Sequence, residues 1–217
     1  MKVGVDGVLL GAWCDVAGAR RIVDVGAGCG LIALMAAQRN PDASVIAVEI
    51  DPDAADEAAL NASQSPWNER VEVVCEDIVA HPEICCDADL IVSNPPFFDS
   101  GVSEITTNRE LARHCSSLSP MTLIDIAAEQ LSPHGLLAMI FPADHLDAIT
   151  AHAAAKSLTP KRICYVRGHA EAPVKRVLAE YSRTAESPET EHLTLETSPG
   201  VPTDPYRRLC HDFYLKF

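Results

Sequence analysis

The chain has 217 residues, 47% apolar and 22% charged, proportions that suit one α/β domain around a single core. With 17 Lys and Arg against 31 Asp and Glu, the net charge is −14, which excludes broad non-specific nucleic-acid binding through a basic field but leaves room for a local basic patch. The 8 cysteines form no C-x-x-C pair, so a zinc ribbon or redox dithiol is not expected; reduced thiols are, with Cys75 and Cys164 read as small buried hydrophobes.

The opening stretch "KVGVDGVLLGAWCDVAGA" imitates a secretion signal, but Asp6 and Asp15 interrupt its apolar run. No run approaches the ~20 apolar residues of a membrane span, so a soluble, cytoplasmic protein is expected. "VDGVLLGAW" reads as an amphipathic helix capped by Asp6 and packed on the sheet that follows. "RRIVDVGAGCG" is a strand entering a glycine turn, and "LIALMAAQRN" a helix ended by Asn40-Pro41. "SVIAVEID" is a second strand, and "PDAADEAALNAS" a helix with proline in its first turn. "RVEVVCED" and "DADLIVSN" are the third and fourth strands. A long connection, 99–120, has room for a substrate-specific insert. "MTLIDIAAEQLSPHG" is a helix stopped by Pro133 and Gly135, "LLAMIFP" a fifth strand, and "ADHLDAITAHAAAKSL" another helix. "KRICYVRGH" and "VKRVLAEYSR" are the sixth and seventh strands; the few residues between them cannot form a crossover helix, so the seventh must run antiparallel. "TAESPETEH" reads as a polar loop, followed by a possible strand and a short closing element. Strands alternating with helices specify a doubly wound, mostly parallel α/β sheet of seven strands with an antiparallel last strand.

Chemistry gathers where these strands end. Gly26, Gly28 and Gly30 lie between the first strand and its helix, where glycine lets backbone approach a ligand closely. Their G-x-G-x-G spacing differs from the G-x-G-x-x-G of dinucleotide folds and disfavours a nicotinamide dehydrogenase. Asp24 suits a cationic partner better than a pyrophosphate. Glu49, at the end of the second strand, with Ile50 beside it, can bind both hydroxyls of a ribose; Asp77, with the Ile78 backbone nearby, can accept from an adenine amino group. A ligand combining adenine, ribose and a cationic amino-acid group fits this set, and S-adenosyl-L-methionine is such a ligand. With these residues the sequence resembles the class I, Rossmann-like methyltransferases over residues 21–183, and the antiparallel seventh strand is that family's usual ending.

The fourth strand runs into Asn94, Pro95, Pro96 and Phe97, similar to the N-P-P-[YFW] motif of methyltransferases that act on planar nitrogens. An amino group on an aromatic ring or carbonyl is a poor nucleophile because its lone pair is delocalised. Acceptors at the Asn94 side chain and the Pro95 carbonyl, fixed in advance by proline, favour a pyramidal nitrogen, and Phe97 offers a stacking face. No strong base is required before transfer.

"KVGVDGVLLGAW", "NRELARH" (108–114) and the closing "DFYLKF" resemble the bacterial tRNA adenine-N6 methyltransferases that modify A37 of tRNA(Val), whose members carry K-V-G-T-D-G-V-L-L-G-A-W, R-x-x-A-R-H and usually a further segment upstream. Val5 stands in place of the family's threonine, which removes a hydroxyl, and Phe97 in place of the commoner tyrosine. The resemblance implies one methyltransferase domain over 1–217: a cofactor-covering segment (1–20), a core (21–183) and a C-terminal extension (184–217). It implies cofactor contacts from Asp6, Gly7, Asp24, Gly26, Gly28, Gly30, Glu49, Ile50, Asp77, Ile78 and Asn94. It implies catalysis by Asn94, Pro95, Pro96 and Phe97, and tRNA contacts from Phe97, Phe98, Arg109, Arg113 and His114. No metal and no membrane partner are expected, and the chain is expected as a monomer or weak dimer. The same N-P-P motif serves N5-methylation of a glutamine amide in a protein such as a release factor, and guanine-N2 methylation of rRNA; both remain as alternatives, as does a non-catalytic binding module. The basic pairs Lys175/Arg176 and Arg207/Arg208 are left without a role.

Overall fold

The computed structural model describes residues 4–96 and 118–215. Strands β1 (Arg21–Val25), β2 (Ser44–Glu49), β3 (Val71–Cys75), β4 (Ala88–Ser93) and β5 (Leu131–Pro142) pair in parallel. The sheet continues with β6 (Thr159–Arg167), β7 (Arg176–Ser182) and β8 (Glu189–Thr194), in the order β3-β2-β1-β4-β5-β7-β6-β8. As the short connection requires, β7 is antiparallel, lying between β5 and β6.

Successive side chains of the central strands divide between two cores, as a period of two dictates. Ile22, Leu90 and Val92 face one core, beneath α1 (Val5–Trp13), α2 (Leu31–Arg39), α3 (Pro52–Gln64) and α6 (Asp204–Cys210). Val23, Val25 and Ile91 face the other, beneath α4 (Pro120–Gln130) and α5 (Leu146–Ala155). With both faces covered, the parallel strands need no polar face, which is why they read as nearly continuous apolar runs.

Four expectations are corrected. The sheet has eight strands rather than seven: "ETEHLT", its first four residues expected in a polar loop, pairs in parallel with β6. Of its side chains only Leu193 is buried, so its place rests on backbone bonds rather than an apolar face. The helix expected to run to Pro133 and Gly135 stops at Gln130, and Leu131 already pairs with Ala88. Gly135 serves close approach instead, since a Cβ there would lie 2.7 Å from the Ala88 carbonyl oxygen. Asp6 does not cap α1, whose N-cap is Gly4; its carboxylate pairs with Arg176 Nε at 2.8 Å. Cys75 is exposed at the end of β3, whereas Cys14, Cys85, Cys164 and Cys210 are buried and desolvation pushes their thiols up to about 12.

Arginines close three helix ends by donating to carbonyls that no helical amide can reach. Arg39 donates to Gly11 (2.8 Å) and Cys14 (2.7 Å) after α1, and Arg70 to Ala37 (2.7 Å) and Asn40 (2.9 Å) after α2. Arg183 donates to Ala128 (2.7 Å) and Leu131 (3.0 Å) after α4. All three lie toward the amino edge of the sheet. Among the described residues, no helix is long and apolar enough to cross a membrane.

Candidate active site

Strand order reverses between β1 and β4, and the carboxyl edge at such a switch is where open α/β sheets hold ligands. The chain leaving β1 turns sharply there. Gly26 (φ +69°), Gly28 (φ +56°) and Gly30 (φ +81°) all lie in the left-handed region. A side chain at Gly30 would be strained and would also press on Ala58 Cβ at 3.3 Å. The Gly26 and Ala27 amides both donate to the Val48 carbonyl, at 2.9 and 3.0 Å, and bind the turn to β2.

Beneath the turn, Asp24 is fully buried. Its Oδ2 accepts from the Ala33 amide at 2.9 Å, while Oδ1 has no hydrogen-bond partner. Desolvation, with a contribution from the Glu49 charge, pushes its carboxyl up to about 7. Glu49 is nearly as buried and spans two loops: Oε2 accepts from Gly28 N at 2.7 Å, and Oε1 from Asp51 N at 2.9 Å. Each carboxylate oxygen can accept twice, so both keep a lone pair for a ligand. Asp77 Oδ1 accepts from Val79 N at 2.9 Å, and Ile78 is buried beside it.

On the other side of the switch, Ser93 is buried and its Oγ donates to the Val25 carbonyl at 2.7 Å. That bond ties the last residue of β4 to the last residue of β1 and so sets the level at which Asn94 leaves the sheet. Asn94 is half-buried, Pro95 buried and Pro96 exposed.

Gly26, Gly28, Glu49, Ile50, Asp77, Ile78, Asn94 and Pro96 line one cavity of ≈ 260 Å³, together with Val48, Glu76 and Leu118. The cavity wall carries three carboxylates and no cationic side chain among the described residues, and a fourth carboxylate lies beneath it. Such a hollow favours a ligand bearing positive charge. Asp24 and Gly30 shape the turn from below without lining the cavity. Asp6 and Gly7 are not among its lining residues either: Asp6 holds Arg176, and Gly7 packs near Leu31. Phe97, Phe98, Arg109, Arg113 and His114 lie outside the described residues.

Sequence reasoning missed Glu76, Leu118 and Ser93. Glu76 had a signal, being next to Asp77 after a strand; the serine was legible only as a strand terminus, and Leu118 had none. A larger, shallower hollow of ≈ 670 Å³ between α1, α2 and residues 212–215 is walled mainly by Leu31, Leu34, Trp67 and Phe213, with Asp212 its one charged lining group. It lacks the convergent polar groups that mark the smaller cavity as the site. Among the described residues, no cluster of His, Cys, Asp and Glu is arranged to hold a metal ion.

The methyltransferase small domain model matches residues 8–151. A Bacteroides fragilis protein named tRNA1(Val) (adenine(37)-N6)-methyltransferase is 42% identical over 218 residues, spanning 100% of this chain and 92% of its own. Proteins of the same name from Trichodesmium erythraeum (40% identical, 92% of its length) and Yersinia enterocolitica (38%, 87%) also align along 100% of this chain. Among solved structures, a predicted O-methyltransferase from Agrobacterium tumefaciens superposes with a TM-score of 0.72 at 20% identity, covering 95% of this chain and 96% of that one. TrmN from Thermus thermophilus gives 0.54 at 20% identity, covering 75% and 43%. At these identities the structural matches establish the Rossmann-like methyltransferase fold.

Proposed function

Because the chain belongs to the methyltransferase small domain family, with full-length relatives named tRNA1(Val) (adenine(37)-N6)-methyltransferase, we propose that it methylates N6 of an adenine in tRNA, A37 of tRNA(Val), using S-adenosyl-L-methionine. The observation that carries this reading is the placement of Asn94 and Pro96 on the wall of a cavity that, among the described residues, holds carboxylates and no cation.

The donor set fits the cofactor. Glu49 has one lone pair per oxygen left for ribose hydroxyls, and Asp77 and Ile78 lie where an adenine would be read. Gly26 and Gly28 allow close approach of the backbone, and the unpartnered Asp24 oxygen adds to the field that attracts a cation. When bound, S-adenosylmethionine supplies an electron-poor methyl group.

Asn94 does the orienting work on the substrate side. Its amide oxygen accepts a hydrogen from the exocyclic amino group, and the Pro95 carbonyl accepts the other. Both interactions strengthen as the nitrogen pyramidalises, so they favour the transition state over the flat ground state. With such a donor bound, transfer would exchange its S–C bond for the new N–C bond, and the acidified N–H would then lose its proton to water. Phe97 and Phe98 supply stacking faces in this reading, and Arg109, Arg113 and His114 contact RNA; these assignments rest on the sequence motif. Asp6 and Gly7, at the start of α1, act as cover for the cofactor rather than as cavity wall. On this reading the protein would meet its tRNA substrate in the cytoplasm.

The test is incubation with methyl-labelled cofactor and, separately, unmodified tRNA and release factor. Label recovered as N6-methyladenosine at A37 is the expected result. Label in protein alone, or as N2-methylguanosine, would overturn it.

A further inference from the structure

Several of the described cations can be assigned to one sheet edge or the other. At the amino edge, Arg39, Arg70 and Arg183 are held by helix-end carbonyls, and Arg162 by Glu180. Lys156 and Lys161 pair there with Asp125 and Asp15. At the carboxyl edge, the β6–β7 hairpin carries Arg167, His169, Lys175 and Arg176 against a single carboxylate, Glu171, within residues 167–176. Lys175 and His169 are exposed, and the half-buried Arg167 donates a long bond, 3.3 Å, to Ala170 O in its own loop. The hairpin is firmly seated: Lys175 N donates to Val166 O at 3.0 Å, and Ala143 N donates to Lys175 O at 3.2 Å. Arg176 is fixed beside it by Asp6.

Register places this cluster relative to the site. Pro142 of β5 faces Arg176 on one side, while β4, which leads into Asn94, flanks β5 on the other. Arg176 therefore starts two strand spacings, roughly 10 Å, across the sheet from the strand that presents Asn94, and Arg167 about one spacing further. Toward β1–β3 the same edge is acidic, with Glu49, Asp51, Glu76 and Asp77. A polyanion reaching Asn94 is repelled from the β1–β3 side; on the other side Arg167 and Lys175 offer it cations, while Arg176 is already paired with Asp6 and the carboxylates Glu171 and Glu196 lie nearby.

We propose that the β6–β7 hairpin is an RNA-backbone contact surface, with Arg167 and Lys175 holding phosphates of the strand that carries the target base. This rests on the tRNA reading above and assigns that substrate's direction of approach. On this chain of net charge −14, the pair acts by local field, so its contribution falls steeply with salt.

The test uses the full chain, a tRNA(Val) anticodon stem-loop and the variants Arg167→Glu, Lys175→Glu and their double, with Lys156→Glu on the opposite edge as control. Each hairpin reversal is expected to weaken RNA binding about tenfold at low salt, and to flatten the plot of log affinity against log salt by about one per lost phosphate contact. KM for RNA rises, kcat and cofactor binding stay near the parent values, and Lys156→Glu behaves as the parent. The double variant with parental RNA affinity and salt slope, and an unchanged circular dichroism spectrum, would overturn the hairpin inference while leaving tRNA methylation by the parent intact. A parent that labels release factor and no RNA would overturn the tRNA reading, and the hairpin inference with it.

Discussion

Asp24 lies on β1 and Asn94 directly follows the neighbouring β4, and the two do opposite things with polarity. Asn94 is useful through what it accepts: Asn94→Ala removes one preorganised acceptor, and kcat is expected to fall ~10²–10³-fold. Cofactor affinity by calorimetry should change only a few-fold; a parallel collapse of cofactor binding would mean that the asparagine shapes the cavity instead. Asp24 is useful through the charge it carries at a cost. Its carboxyl stands near 7 in the fold, against a usual 3.8, because burial disfavours the ion. The folded state holds this proton more tightly than the unfolded chain does. That contribution to stability is complete below the usual carboxyl range, shrinks as pH rises, and is gone above about 7. Asp24→Asn is neutral at every pH. Its unfolding free energy in urea, relative to the parent, is expected to increase between pH 5 and pH 8 by on the order of 2 kcal/mol. A difference independent of pH would show that Asp24 does not titrate in this range. With its carboxyl near 7, Asp24 is partly protonated at neutral pH, and a cation brought close to it would favour the ion and lower that value.

Elements differ in how much of them the sequence revealed. The β1–β5 core was legible because apolar runs, glycines and prolines all agree there, and Glu49, Asp77 and Asn94 were legible because each stands at or just past the end of a strand on the carboxyl edge. β8 was not, since Glu189, Thr190, Glu191 and His192 show no apolar alternation and it is held by backbone pairing with β6. It is also held by long-range side-chain contacts that no local pattern encodes. Trp13 Nε1 donates to Glu191 at 2.9 Å, and Arg162 stacks 3.9 Å from the Trp13 ring centroid. Arg162 Nε lies 3.1 Å from Glu180, whose side chain is fully buried, and Glu180 also accepts from Asp15 N. This cluster joins the end of α1 to β6, β7 and β8. Glu180→Ala is expected to destabilise by ~3 kcal/mol, because the largely covered guanidinium loses its nearer carboxylate and keeps only Glu191, at 3.8 Å. Replacing both Arg162 and Glu180 with leucine should cost clearly less than the sum of the single leucine substitutions. Additive losses in urea denaturation would show that the two residues act independently.

Across the whole molecule, the acidic excess and the local basic hairpin make salt act in opposite directions on fold and function. A chain of net charge −14 repels itself, and the crowding of Glu49, Asp51, Asp53, Glu76 and Asp77 near one edge concentrates that repulsion. Raising salt from about 50 mM to about 200 mM shortens the screening length toward the spacing of these groups, so Tm is expected to rise by a few degrees. Over the same interval, two phosphate contacts at the hairpin imply a loss of roughly tenfold in RNA affinity. Reversing Arg167 and Lys175 makes the chain more acidic, so the double variant should gain more Tm from salt than the parent while losing less RNA affinity. Differential scanning fluorimetry and fluorescence anisotropy on the same samples measure both responses. If the two responses moved together, one uniform field would govern the molecule. The proposed division between an acidic cofactor side and an RNA-contacting hairpin requires them to separate.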